Sequence, residues 1–169
     1  MAAIDIGQEA IDRTGVTSVD ARTLVVKANP ANGTGTVSQV EIWLQAASSN
    51  DVWFGTFSAA GDVLTCRDSE SVGNVPAGSK QTFSGLDIDV VAGHYLGTHA
   101  KTSVASIEKD SGSAIGVWGF LGEAIDPSDS ETFIINTDWR ISLFGTGEAL
   151  AIGTKSANMA AKMMAGRAI

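Results

Sequence analysis

Two histidines and one cysteine are the soft metal ligands in this sequence, and a scatter of carboxylates supplies hard oxygen ligands and acid–base groups. His94 and His99 stand five residues apart. In one extended strand an odd separation sends side chains to opposite faces, so the two do not converge there. A zinc site also needs a third ligand, and Cys66 stands at no ligand-motif spacing from either histidine. A Cys–His nucleophile pair likewise lacks a third group to orient its base. All three read as ordinary strand residues. Gly33-Thr34-Gly35 has no Gly-Lys-Ser/Thr ending and precedes a strand rather than a helix, so it is a turn and not a phosphate loop.

The carboxylates carry more chemistry. Asp126, Asp129 and Glu131 share the polar loop IDPSDSE and present hard oxygens of the kind calcium takes. Their spacing fits no EF-hand loop, and a solvated acidic loop is the expectation. Asp62, Asp68, Glu70, Glu108 and Asp110 supply acids for a glycosidase-type pair, which needs two opposed carboxyls across a cleft. Nothing in the sequence selects a pair, and acids this numerous are usually surface. No catalytic residue, metal ligand or cofactor site is therefore assigned. Trp43 and Trp118 are candidate stacking platforms for sugar rings. The preferred reading is that the tryptophans, Trp53 and Trp139 included, pack in the core or at a subunit interface.

The elements that position these residues are strands. Val40, Ile42 and Leu44 alternate with Glu41, Trp43 and Gln45, and Leu86, Ile88 and Val90 with Asp87 and Asp89. A strict period of two marks half-buried strands. Further β-type runs cover 22–28, 51–58, 63–67, 94–99, 115–121, 132–136 and 139–144, divided by Gly, Asn, Asp, Ser and Pro. No helical stretch separates them, which disfavours a parallel βαβ sheet. The expected fold is an all-β, antiparallel, jelly-roll-like sandwich of eight to ten strands over residues 1–147. Residues 148–169 form a C-terminal arm, with a helix expected from Ser156 to about Ala165 and Gly166 as its stop.

The chain has 169 residues, 44% of them apolar and 18% charged, enough for one core and unlike a disordered segment. A lone cysteine rules out an internal disulfide. The first residues have no signal-peptide character, and no apolar run is long enough to span a membrane as a helix. The net charge of −8 disfavours nucleic acid or an anionic membrane as partner. That charge is divided unevenly. Residues 1–145 carry 18 acidic against 8 basic side chains, and 146–169 carry Glu148 against Lys155, Lys162 and Arg167.

The succession VEIW (40–43), TCRDSESVGNVPAGSKQTF (65–83), GHYLG (93–97), SIEKDSG (106–112), GVWGFLGEAI (116–125) and ISLFGTG (141–147) resembles a β-sandwich domain widespread in phage-derived and environmental sequences. The resemblance covers most of 1–147 and omits the arm. It implies a non-enzymatic bacteriophage virion protein, a capsid decoration (cement) or tail-associated component. Such a protein is made in the host cytoplasm and ends in the virion, as a homo-oligomer or bound to a major capsid or tail protein. Partner contacts are expected from Lys155, Met159, Lys162, Met163, Met164, Arg167 and Ile169, because a Met-bearing segment can order on contact with a neighbour. A carbohydrate-binding module or adhesin using Trp43 and Trp118 is the alternative.

Overall fold

The structure, a computed structural model, describes residues 2–46, 49–102, 104–112 and 115–151. Among these, fourteen strands follow one another. They are β1 (Ala3–Gln8), β2 (Gly15–Ser18), β3 (Arg22–Val26), β4 (Gly35–Ala46), β5 (Ser49–Ala60), β6 (Val63–Val75) and β7 (Ser79–Val90). The second half of the chain adds β8 (Tyr95–Ala100), β9 (Ser106–Asp110), β10 (Val117–Leu121), β11 (Ser130–Thr132), β12 (Ile134–Asn136), β13 (Arg140–Ile141) and β14 (Leu143–Ala149). Every strand pairing is antiparallel. The expected all-β sandwich is what the chain forms.

Two sheets face each other. In the first, β1, β14, β4 and β7 lie side by side, and β9, flanked by β2 and β13, joins at the far end of β4. The second runs β11-β6-β5-β8-β3-β10-β12. Ile4, Ile6, Val40, Ile42, Leu44, Ile88 and Leu143 of the first sheet meet Leu24, Val26, Phe54, Leu96 and Val117 of the second, all fully buried. The alternation in β4 and β7 arises here: inward positions are buried, while Glu41 and Trp43 are half-buried and Asp87 and Asp89 exposed on the outer face.

The second sheet is covered on both faces. Val25, Phe57, Leu64, Cys66 and Trp118 point away from the first sheet into a second core closed by Ala124, Ile125 and Phe133. The segment after β10 lies over that face as a strap. The Ala124 N–H donates to Thr23 Oγ1 (2.9 Å), the Cys66 N–H to Asp129 O (2.8 Å) and the Phe133 N–H to Asp62 O (2.8 Å). Burial on both faces explains why Leu24, Val25 and Val26 of β3 form an unbroken apolar run rather than an alternating one, and why β8 is buried from Leu96 to Ala100.

Three differences from the sequence expectation have physical causes. The strand expected at 63–67 runs on to Val75 because its polar half pairs with β5, Ser69 opposite Gly55 and Ser71 opposite Trp53. Gly145 and Gly147, expected to end the body at 147, lie inside β14. A Cβ on Gly145 would stand 2.9 Å from Ile6 Cγ2, and one on Gly147 1.9 Å from Thr36 O, so close packing demands these glycines. The strand therefore continues to Ala149. Strands β1, β2 and β9, which no alternation announced, form as partners of β14 and of one another.

Parts of the sheet edges are capped by side chains. Asp87 and Asp89, on the outer strand β7, donate their N–H groups to Glu70 Oε2 (2.9 Å) and Asp68 Oδ2 (2.7 Å). At β1 the Asp5 N–H donates to Asn32 Oδ1, while the Asn29 side chain donates to Asp5 Oδ1 and Gly7 O. β11 and β12 are three residues each. Short or side-chain-capped edges do not template further strands.

Candidate functional site

Cys66 and His99 are buried with partners in the fold, and His94 is half-buried. Cys66 is 1% exposed with its Sγ directed at Ile125 O (3.2 Å). Burial and the charges of Asp129, Asp68 and Asp126 push its thiol up to about 12. His99 is 3% exposed and its Nδ1 meets Arg22 O at 3.1 Å, a contact that fits an Nδ1–H tautomer. His94 precedes β8, with Nδ1 buried and unpartnered among the described residues. Burial, then the Arg67 charge, lower its pKa.

Among the described residues one trio of potential ligands converges within 4.8 Å: Glu123, Asp126 and Asp129. Asp126 and Asp129 thus meet as the loop reading anticipated, but Glu123 joins them and the exposed Glu131 on β11 does not. A cation already serves this loop. Lys101 Nζ is ion-paired to Asp126 and sits 4.2 Å from the centre of the Trp53 ring. Burial opposes its charge, yet the Asp126 bond and the Glu123, Asp126 and Asp51 carboxylates hold its pKa above the ordinary value. Glu123 and Asp129 also accept the N–H groups of Ile125 and Asp126.

The five acids considered for a hydrolytic pair each accept hydrogen bonds from the fold's own donors. Asp62 takes the Trp118 Nε1–H (2.9 Å), and Asp68 and Glu70 cap β7. Glu108, 1% exposed, takes the Arg13 N–H (2.8 Å), and Asp110 takes the Arg13 guanidinium (3.1 Å) and the Thr14 N–H (2.9 Å). Arg13, which the sequence did not single out, also donates Nε–H to Ser142 Oγ (2.8 Å). This network holds the crossover between β1 and β2 against β9.

Of the two tryptophans proposed for sugar stacking, Trp118 is ruled out as a platform. It is 2% exposed, edge-on to Tyr95 at 4.9 Å, and lies in the second core because the strap covers that face of β10. Trp53 and Trp139 are partly buried against the two cores, each with a lysine over its ring. Trp43 alone keeps the anticipated position on an outer face. Cross-strand from it lies Lys80, which pairs with Glu41 at 3.4 Å, and Phe144 stands opposite Glu41.

The outer face of the first sheet also has an acidic end. Register places Ala3, Glu148, Thr36 and Asp89 in one row across β1, β14, β4 and β7, with Asp5 on β1 and Asp87 on β7 one position further along. Glu148, Asp87 and Asp89 are exposed. One ion pair is formed there, a long one from Arg67 to Asp89 at 3.8 Å. A shallow hollow on this face is lined by Thr36, Ser38, Glu148, Ala149, Leu150 and Ala151. The arm begins at this hollow. The expected contact residues Lys155, Met159, Lys162, Met163, Met164, Arg167 and Ile169, and the helix expected from Ser156, lie outside the described residues.

No family model, no curated protein and no solved structure matches the chain. Among the described residues no helix is long and apolar enough to cross a membrane.

Proposed function

We propose that this chain is a non-enzymatic structural component of a bacteriophage particle, a capsid decoration protein or another surface component, that holds neighbouring subunits through its C-terminal arm. One observation carries the reading: the body's exit point adjoins an acidic face, and the sequence beyond it is cationic. Residues 152–169 hold Lys155, Lys162 and Arg167 and no carboxylate side chain. Capped edges and two packed cores suit a rigid framework that meets neighbours by faces and an arm rather than by strand addition. The phage context rests on the sequence resemblance.

Sedimentation velocity on the full chain and on a chain ending at Leu150 tests the arm. The full chain should form an oligomer, and the shortened chain a monomer with the same far-UV spectrum. Equal masses for two folded proteins would remove the arm from the mechanism. Immunogold labelling of particles from a producing host tests the virion location, and particles without label would refute it. A second reading, glycan binding, is favoured by Trp43 with Phe144 on the outer face. It requires that Trp43→Ala abolish retardation of the chain in polysaccharide-containing gels.

A further inference from the structure

We infer that residues 123–127 form a lid over the second core and that Lys101 is the latch holding it shut. The device belongs to the body and does not depend on the arm. Main-chain bonds fix both ends of the segment. At one end the Gly122 N–H donates to Ala21 O (3.0 Å), and Gly122 O accepts the Thr23 N–H (3.1 Å). At the other the Ser128 N–H donates to Cys66 O (2.9 Å), and the Cys66 N–H to Asp129 O (2.8 Å). Between these anchors the body meets the main chain through side chains. Thr23 Oγ1 takes the Ala124 N–H (2.9 Å), and the Cys66 thiol faces Ile125 O (3.2 Å). The Ile125 and Asp126 N–H groups are taken within the loop itself, by Glu123 and Asp129.

Ile125 is the plug. It is fully buried and shares its core with Phe57, Leu64, Cys66 and Trp118. A Cβ on Gly55 would stand 2.9 Å from Ile125 Cδ1, so β5 is hollowed by a glycine where the side chain seats.

Charge decides whether the plug stays in. Carboxylate oxygens of Glu123, Asp126 and Asp129 lie within 4.8 Å of one another, and like charges this close repel. Lys101 supplies the opposing charge, with Nζ 2.5 Å from Asp126 Oδ1 and its side chain 22% exposed. Among the described residues no other cation pairs with the three. The body holds this lysine in place. Its N–H donates to Asp51 O (3.0 Å), and its ammonium sits 4.2 Å from the centre of the Trp53 ring. That ring is fixed in turn by its Nε1–H bond to Asp51 Oδ1 (2.8 Å). One cation therefore ties the crowded carboxylates of the lid to β5 and to the end of β8. Losing it leaves three like charges on a short loop whose remaining hold is Ile125 and a few hydrogen bonds.

The test follows N-ethylmaleimide labelling of Cys66, the one cysteine of the chain, in full chains at pH 7 and low salt, beside urea unfolding of the same chains. The wild-type chain should label no faster than its global unfolding allows. Lys101→Met keeps the stem over Trp53 and removes the charge. It should label about tenfold faster than its own urea stability accounts for. Lys101→Arg keeps the charge and should behave as the wild type. Adding Glu123→Gln to Lys101→Met relieves the crowding, leaves an oxygen for the Ile125 N–H and should slow labelling again. Raising NaCl to about 0.5 M should slow the Lys101→Met chain too, because salt screens the repulsion. Labelling of Lys101→Met at the wild-type rate overturns the latch. A rise that matches its loss of global stability overturns the lid, since the core then opens only as a whole. Fast labelling that neither Glu123→Gln nor salt slows overturns the role given to charge.

Discussion

Replacing Arg13 with Met should cost the fold about 2–3 kcal/mol without changing its architecture. The Arg13 side chain is 4% exposed and donates to Asp110 Oδ2, Ser142 Oγ and Glu9 O. Methionine keeps most of the stem's volume and removes all of those donors. Two facts hold the loss below that of a fully buried pair. The Asp110 side chain is 30% exposed and retains the Thr14 N–H and hydroxyl, and Ser142 Oγ still donates to Ile11 O at 2.6 Å. For a chain of this size each kcal/mol moves Tm by about 2–4 °C, so a fall of about 5–10 °C is expected. Urea unfolding at pH 7 gives the loss directly, with an unchanged m-value showing that the unfolded state is the same. A cycle with Asp110→Asn should give a coupling above about 0.5 kcal/mol. The pH dependence has a defined sign. The Thr14 N–H bond, resisted by desolvation and aided by the Thr14 hydroxyl and Arg13, holds the Asp110 carboxyl below its usual value. Its stabilisation is present above the unfolded carboxylate pKa near 3.8 and is lost as pH falls through the lower folded value. Part of that acid-labile stabilisation should vanish in Arg13→Met. A loss below about 0.5 kcal/mol with zero coupling would show that the network does not hold the crossover.

Two further outcomes separate core from surface. Trp118→Ala should cost about 3–5 kcal/mol by opening the second core, while Trp43→Ala, at a half-buried outer position, should cost about 1 kcal/mol or less; equal melting temperatures would contradict the burial assigned to Trp118. Cys66, with its thiol pushed up to about 12 and its Sγ under the strap, should react with a disulfide reagent at pH 8 only after denaturation, and rapid labelling of the native chain would show that the strap does not cover it.

Alternation was the legible part of the fold. In 40–45 and 86–90 the period of two follows from one face touching core and the other touching water, and the structure keeps both segments as strands with those faces. The polar half of β6 left no such trace, because it is held by its backbone ladder to β5 rather than by one apolar face. The same limit applied to the candidate sites. Asp68, Glu70, Glu108 and Asp110 look alike in sequence as spare acids, and only their distances to donors on β7 and on the crossover at 13–14 show them at work.

By itself the sequence determined the all-β class, the lack of a disulfide and the division between an acidic body and a cationic end, since each depends on residue type and short-range order. The tertiary structure decided which tryptophan is fully buried, which glycines sit within a strand and which carboxylates gather at the arm's root. Those outcomes depend on which distant segment covers a face or fixes a register, as the strap does for Trp118 and β4 does for Gly147. Contacts between residues a hundred positions apart leave no local periodicity to read.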